Sequence, residues 1–235
     1  NGGTLDLTST AATSMDRGFT ITAGKTGKIN IAADLMLTNT IANTTGALSV
    51  TGAGDVTLNV PVSYTGNTSI TSGDFVIAGN ANLGDGAYSG AITLGANRTL
   101  IYRSSSDQSL AGVISGADAS ITKENSGSRL TLSGGNTYSG ETKVSEGTLT
   151  ITGGSAESDA FTIEAGATLE FDVNANYVAN IDGALPNPQY RFWYSNPVTW
   201  SGAGTIVKKG SGIFGISTQG NDQWQLAEGS LIDVQ

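Results

Sequence analysis

A repeated unit organises this sequence. Residues 133–154 read SGGNTYSGETKVSEGTLTITGG, in which short runs of alternating apolar residues are separated by Gly. Much of this unit also occurs 74 positions earlier, where 64–66 corresponds to 138–140 and Thr68 corresponds to Thr142. One unit of this length cannot bury its own apolar side, whereas stacked copies can. The repeat therefore predicts a solenoid.

Shorter matches divide the long period further. Three families of related strands recur in a fixed order: Gly-Thr-Leu strands at 3–7, 73–77, 147–151 and 229–232, a second family at 93–102 and 162–171, and a third at 52–58, 127–132 and 202–207. The period thus holds about three sub-units of roughly 20–25 residues, the length of one solenoid coil.

Composition favours strands over helices. The chain of 235 residues contains 33 Gly and only 13% charged residues, and Thr, Ser and Asn fill many of the remaining positions. β-branched residues favour strands, and Gly and Asn favour turns. We therefore predict an all-β parallel β-helix of about ten coils. A β-sandwich or jelly roll would also give short strands and turns, but it would not explain the fixed order of the repeats.

One segment interrupts the pattern. From Tyr102 to the matching glycine, Gly116, the chain advances 14 residues, but from Phe171 to Gly202 it advances 31. We predict a single β-helix over 1–235 with an aromatic and Pro-rich insertion at 173–199. Both ends resemble cuts through a longer array, because solenoid ends carry atypical capping units.

Several kinds of chemistry are excluded or disfavoured. The chain has no Cys and no His, so thiolate or imidazole metal sites and Ser–His–Asp catalysis are excluded. A formal net charge of −9 without a basic run argues against nucleic acid as a partner. We predict no catalytic residue, metal site or cofactor.

The charged residues that remain are expected on the surface. Those considered for catalysis or calcium binding are the carboxylates Glu141, Glu146, Glu157 and Asp159, the cations Arg103, Lys208 and Lys209, and the Gly-Asp pairs at 54–55, 73–74 and 84–85. The first two groups are expected to be solvated, and the pairs to serve turns.

The repeat resembles a known family. The autotransporter-associated β-strand repeat reads approximately GxGxLxLxGxNTYxGxTxVxxGTLxL, and the stretch 127–151 follows this pattern, with the Asn-Thr-Tyr segment at 136–138. The copy at 54–77 fits more loosely, and the copy at 212–231 departs most. The resemblance implies a right-handed β-helix in a passenger region of a type V-secreted protein, displayed extracellularly on the bacterial cell surface. It also implies membrane attachment only through a C-terminal β-barrel that is absent from this sequence.

Three functions remain open. The first is a non-enzymatic passenger fragment that acts as an adhesin, self-association module or structural stalk, with host or neighbouring-cell glycans or proteins, or further copies, as partners. The second is carbohydrate binding by the insertion, because Tyr and Trp stack on sugar faces; its candidate residues are Tyr177, Tyr190, Phe192, Trp193, Tyr194 and Trp200. The third is a polysaccharide-active enzyme. The same aromatic residues would instead cover the flank of the rod if the insertion folds back.

Overall fold

The chain winds into a parallel β-helix with three sheets along its sides. A computed structural model describes residues 3–152, 158, 160–172, 191–194, 199–210, 213–217, 223–226 and 231–233, with the backbone alone described for 191–194, 199 and the residues after 210. Each turn of the chain crosses the three sheets in the same order before stacking on the turn before it. The all-β fold predicted from the repeat is confirmed.

The strands are short, as the spacing of glycines and apolar residues predicts. In chain order they are β1 (Thr4–Leu7), β2 (Thr13–Met15), β3 (Thr26–Ile31), β4 (Leu35–Leu37), β5 (Ala47–Gly52), β6 (Val56–Leu58), β7 (Thr68–Ile70), β8 (Phe75–Ile77), β9 (Ala87–Tyr88), β10 (Ile92–Leu94), β11 (Thr99–Tyr102), β12 (Gln108–Leu110), β13 (Ile114–Ser115), β14 (Ser120–Lys123), β15 (Arg129–Leu132), β16 (Thr142–Val144), β17 (Thr148–Ile151), β18 (Ala160–Ile163), β19 (Thr168–Asp172), β20 (Arg191–Tyr194), β21 (Thr199–Ser201), β22 (Thr205–Lys209), β23 (Ile213–Ser217), β24 (Gln223–Leu226) and β25 (Leu231–Asp233). A 3-10 turn spans Gly84–Gly86. Within the described part of the chain, no helical segment has the length and hydropathy of a membrane span.

Three faces are built from these strands. In spatial order, the six-stranded sheet is β1-β3-β5-β7-β10-β13, the nine-stranded sheet is β2-β4-β6-β8-β11-β14-β16-β18-β21, and the seven-stranded sheet is β25-β22-β19-β17-β15-β12-β9. A separate three-stranded sheet has the order β20-β23-β24. All these counts refer to the described residues.

Strand register measures the length of each coil. Along the nine-stranded sheet, Leu35 pairs with Val56, Val56 with Phe75 and Phe75 with Leu100, so each step advances 19 to 25 residues. The described coils amount to about eight turns, rather than the ten predicted. The step from Phe161 to Trp200 covers 39 residues. The predicted insertion lies within this step, but its residues 173–190 fall outside the described ones, so it stays a prediction.

The strand direction reverses near the end of the chain. β25 pairs antiparallel with β22, and β24 pairs antiparallel with β23. β22 itself continues the parallel register of β19, as expected for the third family of repeats. The sequence analysis treated 229–232 as a further copy of the repeat unit, but β25 does not stack there as a parallel coil.

Apolar columns fill the interior. Inward positions of successive strands stack on one another, as in Leu35, Val56, Phe75 and Leu100, and all four are buried. Two local expectations differ from the structure. Val113 was predicted at or near the core but is 40% exposed, and the supposed polar loop 104–108 buries both Ser104 and Gln108. The amide of Gln108 is satisfied there, because it accepts from the N–H of Leu83 at 2.6 Å and donates to the carbonyl of Leu83 at 3.2 Å.

Candidate functional site: the lateral faces of the rod

The tyrosine and threonine of the repeat are core residues. Tyr138 and Thr142 are fully buried, and their hydroxyls lie 2.8 Å apart. In the earlier copy Tyr64 and Thr68 form the same pair at 2.6 Å, and Thr68 also bonds Tyr88 at 2.7 Å. Burial raises the pKa of all three tyrosines, that of Tyr88 to about 12. The most recognisable residues of the motif therefore hold the rod together and are not available to a ligand.

A column of glycines forms one corner of the rod. Gly46, Gly66, Gly90, Gly112 and Gly134 follow one another along the axis just before the six-stranded sheet or its continuation. A Cβ on Gly90 would lie 2.6 Å from the carbonyl oxygen of Gly66, and a Cβ on Gly112 would collide with the carbonyl of Gly90. Glycine is required here by the close approach of neighbouring coils.

Two lysines are buried at the ends of inward strand positions. Lys123 and Lys208 have no exposed surface, so the expected solvation of Lys208 is wrong. The ammonium of Lys123 donates to the carbonyls of Glu124 at 2.7 Å and Asn125 at 2.6 Å, and to Glu146 of the next coil at 3.4 Å. The ammonium of Lys208 donates likewise to the carbonyls of Lys209 and Gly210. Both lysines therefore cap turns.

The aspartates of the Gly-Asp pairs bond to backbone. The carboxylate of Asp55 accepts from the N–H of Asp74 at 2.8 Å, and that of Asp74 accepts from the N–H of Thr99 at 2.8 Å. Asp85 has a positive φ of 55° and accepts from the hydroxyl of Ser63 at 2.7 Å. These contacts are those of turns, the role predicted for the pairs. Among the described residues, no three acidic side chains are grouped as metal ligands would be.

One ionic network lies across the outside of the seven-stranded sheet. Glu170 accepts from Arg129 at 2.8 Å and from Lys209 at 2.6 Å, and Thr150 donates to it at 3.3 Å. These four residues belong to β15, β17, β19 and β22, so the network links four successive strands. Glu170 is only 6% exposed. The sequence gave no sign of this cluster, because its members are 20 or more positions apart.

The remaining acidic candidates do not form a described pair. Glu141 accepts a hydrogen bond from the hydroxyl of Thr162, and Glu146 is exposed beside a polar cleft of about 380 Å³ lined by Arg103, Glu124, Asn125 and Ser145. Glu157 and Asp159 lie outside the described residues. A second cavity, of about 460 Å³, opens beside β1 among Leu5, Met15, Phe19, Ile21 and Ile29. This is the apolar interior of the rod seen end-on.

The predicted aromatic site is only partly described. Trp200 lies inward and stacks on Phe161, with ring centroids 4.6 Å apart and planes at 10°, and meets Phe171 edge-on at 6.4 Å. Phe192, Trp193 and Tyr194 follow one another on β20, which pairs with β23 outside the three long faces. Tyr177 and Tyr190 lie outside the described residues. The structure thus separates Trp200, which packs on the core, from the aromatic strand β20.

The outer surface of the six-stranded sheet is free of charge over four coils. The stretches 43–53, 63–73, 87–97 and 109–117, which include β5, β7, β10 and β13, contain no Asp, Glu, Lys or Arg. Their outward residues are small, with Ser49, Ser69, Thr93 and Ser115 in one register column. We call this surface the hydroxyl face. In a protein with a formal net charge of −9, the charges lie on the other faces and at corners.

Comparison with known proteins agrees with this architecture. The passenger-associated-transport-repeat matches residues 48–77, 121–151 and 142–170. The first two matches contain the Tyr–Thr pairs and one of them contains Lys123, so the shared pattern is the one that builds the core. The chain therefore carries the passenger repeats of autotransporters that its sequence predicted.

A curated relative extends the comparison to most of the chain. It is similar to the Adhesin BmaC autotransporter of Brucella suis biovar 1 (strain 1330), with 36% identity over 205 residues. The match covers 86% of this chain, and the chain spans about 5% of that adhesin's length. No solved structure matches the chain.

Proposed function

We propose that this chain is a segment of a non-enzymatic passenger on the outside of a bacterial cell, where it contributes adhesive contacts from the sides of a rod. The observation that carries the proposal is the 36% identity to an autotransporter adhesin over 86% of the chain. The fold supports it, because stacked coils place lateral surfaces at a distance from the point of attachment. Partners on host or neighbouring cells, or further copies of the chain, are the expected ligands.

Bead binding tests this proposal. Beads coated with the purified chain are expected to adhere to host or bacterial cells more than beads coated with an unrelated acidic protein of equal charge. Soluble chain should compete, and adhesion should disappear when the chain is unfolded before coating. Adhesion no greater than that of the acidic control would overturn an adhesive role and leave a structural stalk as the better account.

Carbohydrate binding by the aromatic segment is the second candidate. It is favoured by β20, because three consecutive aromatic residues, 192–194, lie on a strand outside the long faces of the rod. Exposed Tyr and Trp are suited to stack on sugar rings.

A glycan array with substitutions tests this second candidate. Replacing Phe192, Trp193 and Tyr194 by Ala is expected to abolish glycan binding without loss of the β-helix. Trp200→Ala is the comparison variant, since its ring packs on Phe161 and its loss acts on stability. Glycan binding by the triple variant that equals that of the unchanged protein would contradict the candidate.

A further inference from the structure

We infer that the hydroxyl face is a docking surface for a second copy of this chain, a proposal that rests on the adhesive role above and specifies one of its partners. The face consists of the outward residues of 43–53, 63–73, 87–97 and 109–117. It is continuous, since β5, β7, β10 and β13 are neighbours in one sheet with consecutive register.

Charge favours a second copy on this face over the others. Each copy has a formal net charge of −9, so two copies repel each other wherever their charged surfaces approach. The charged residues between positions 35 and 117 are Asp55, Asp74, Asp85, Arg98, Arg103 and Asp107. All six lie outside the four stretches of the hydroxyl face, so two copies meeting there bring no charged side chain of these coils into direct contact.

The chemistry of the face is self-complementary. Ser and Thr hydroxyls both donate and accept hydrogen bonds, so a surface of hydroxyls can pair with an identical surface. An interface of two-fold symmetry presents the same patch on both partners. The neighbouring glycine corner and the small residues Ala47 and Ala91 add no bulky side chain that would hold two faces apart.

The size of the face sets the expected strength. Seven residues across four coils measure about 23 by 19 Å, so two such faces would cover about 900 Å² in total, below the range of stable interfaces. Association of isolated chains is therefore expected to be weak and reversible. Rods that display many such faces on two cell surfaces would gain strength from multivalency.

Sedimentation equilibrium with paired substitutions tests the inference. The unchanged protein is expected to dimerise reversibly at concentrations of hundreds of micromolar. Ser69→Glu with Thr93→Glu, which are register neighbours at the centre of the face, should weaken dimerisation at least tenfold. The matched control is Ser109→Glu with Thr131→Glu, register neighbours on the seven-stranded sheet that also point outward. It adds the same charge and should retain dimerisation.

Charge reversal gives a second readout. A mixture of the Glu variant with Ser69→Lys and Thr93→Lys should form heterodimers more strongly than either variant forms homodimers. An unchanged protein that stays monomeric near 1 mM overturns the inference, and so does equal loss of dimerisation in both Glu variants. Circular dichroism and urea midpoints confirm that each variant is folded.

Bead adhesion separates this inference from the proposed function. Adhesion by an unchanged protein that stays monomeric would refute the second copy and leave the adhesive role in place. Dimerisation without adhesion would do the reverse. Glycan binding that is lost only in the Ser69 and Thr93 variants, with no dimerisation, would assign the face to a glycan and overturn the inference.

Discussion

Buried hydroxyls and ammonium groups in this core are placed so that each has a partner. The hydroxyl of Thr142 lies 2.8 Å from that of Tyr138 and 3.0 Å from that of Ser158, which in turn donates to the carbonyl of Gly140 at 2.7 Å. An unpaired polar group in such a place costs free energy, so removing one member of the chain of bonds affects the others.

Thr142→Val should destabilise the protein. It keeps the shape of the side chain but leaves the buried hydroxyl of Tyr138 without its threonine partner, and we expect a loss of about 1–3 kcal/mol in the free energy of unfolding. Urea unfolding measures this. Adding Tyr138→Phe should recover part of the loss, because both polar groups are then gone. Additive losses in the double variant would show that the two hydroxyls are not coupled.

Lys123→Met should reveal a pH-dependent contribution. Burial lowers the pKa of the Lys123 ammonium to about 8, while Glu146, Asp107 and Glu124 oppose this shift. Between the folded pKa and the usual 10.5, the unfolded chain binds more protons, so this residue's contribution to stability rises with pH. The loss caused by Lys123→Met should therefore be about 1 kcal/mol larger at pH 9.5 than at pH 7.5.

The control for this prediction is an exposed lysine. Lys143 forms an ion pair with Glu164 at 3.0 Å, and this hydrogen bond raises its pKa. Lys143→Met should show no growing loss between pH 7.5 and pH 9.5, since this lysine stays charged over that interval. A loss from Lys123→Met that is constant or falls with pH contradicts the assignment.

Residue types alone predict only part of this core. The apolar positions follow from alternation, and the Tyr–Thr spacing marks a repeated structural unit. Burial of Lys123 and Lys208 could not be foreseen, because a lysine beside polar residues is usually solvated. The turn carbonyls that accept their protons come from backbone geometry, which the sequence does not display.

At the scale of strands and corners, close stacking decides which residues are allowed. Gly112→Ala should push the coils containing β10 and β13 apart, because the added methyl group would collide with the carbonyl of Gly90. We expect a loss of 3 kcal/mol or about that amount, as for other overpacked sites, measured by urea unfolding. Gly135→Ala is the matched control, since a Cβ there meets nothing within 4 Å. Equal losses would show that the corner has room.

Strand direction was beyond the reach of the sequence. Alternating side chains have the same period of two in parallel and antiparallel strands. The residues of β25 therefore resemble another coil although the strand runs antiparallel to β22. For the same reason the three faces were predictable as a repeat, while the ionic network around Glu170 and the joining of uncharged stretches into one face required the register of the coils.

The whole molecule is a stack in which each coil contacts only its neighbours. Its stability is therefore a sum of coil and interface terms, and coils with one neighbour are less protected than those with two. In a protein made of these 235 residues, amides of β6, β8, β11 and β14 should exchange more slowly than those of β1 and β2. Hydrogen exchange followed by mass spectrometry measures this. Uniform protection from β1 to β14 would show that the stack opens as one unit.

The parallel stacking also governs how the rod responds to force. If two cells pull on the chain from its ends, the hydrogen bonds between neighbouring coils are loaded one row at a time, and coils peel off singly. A coil of about 21 residues releases about 65–70 Å of extended chain when it opens. The rod would then lengthen in steps under load, dissipating work at each step while its remaining coils stay folded.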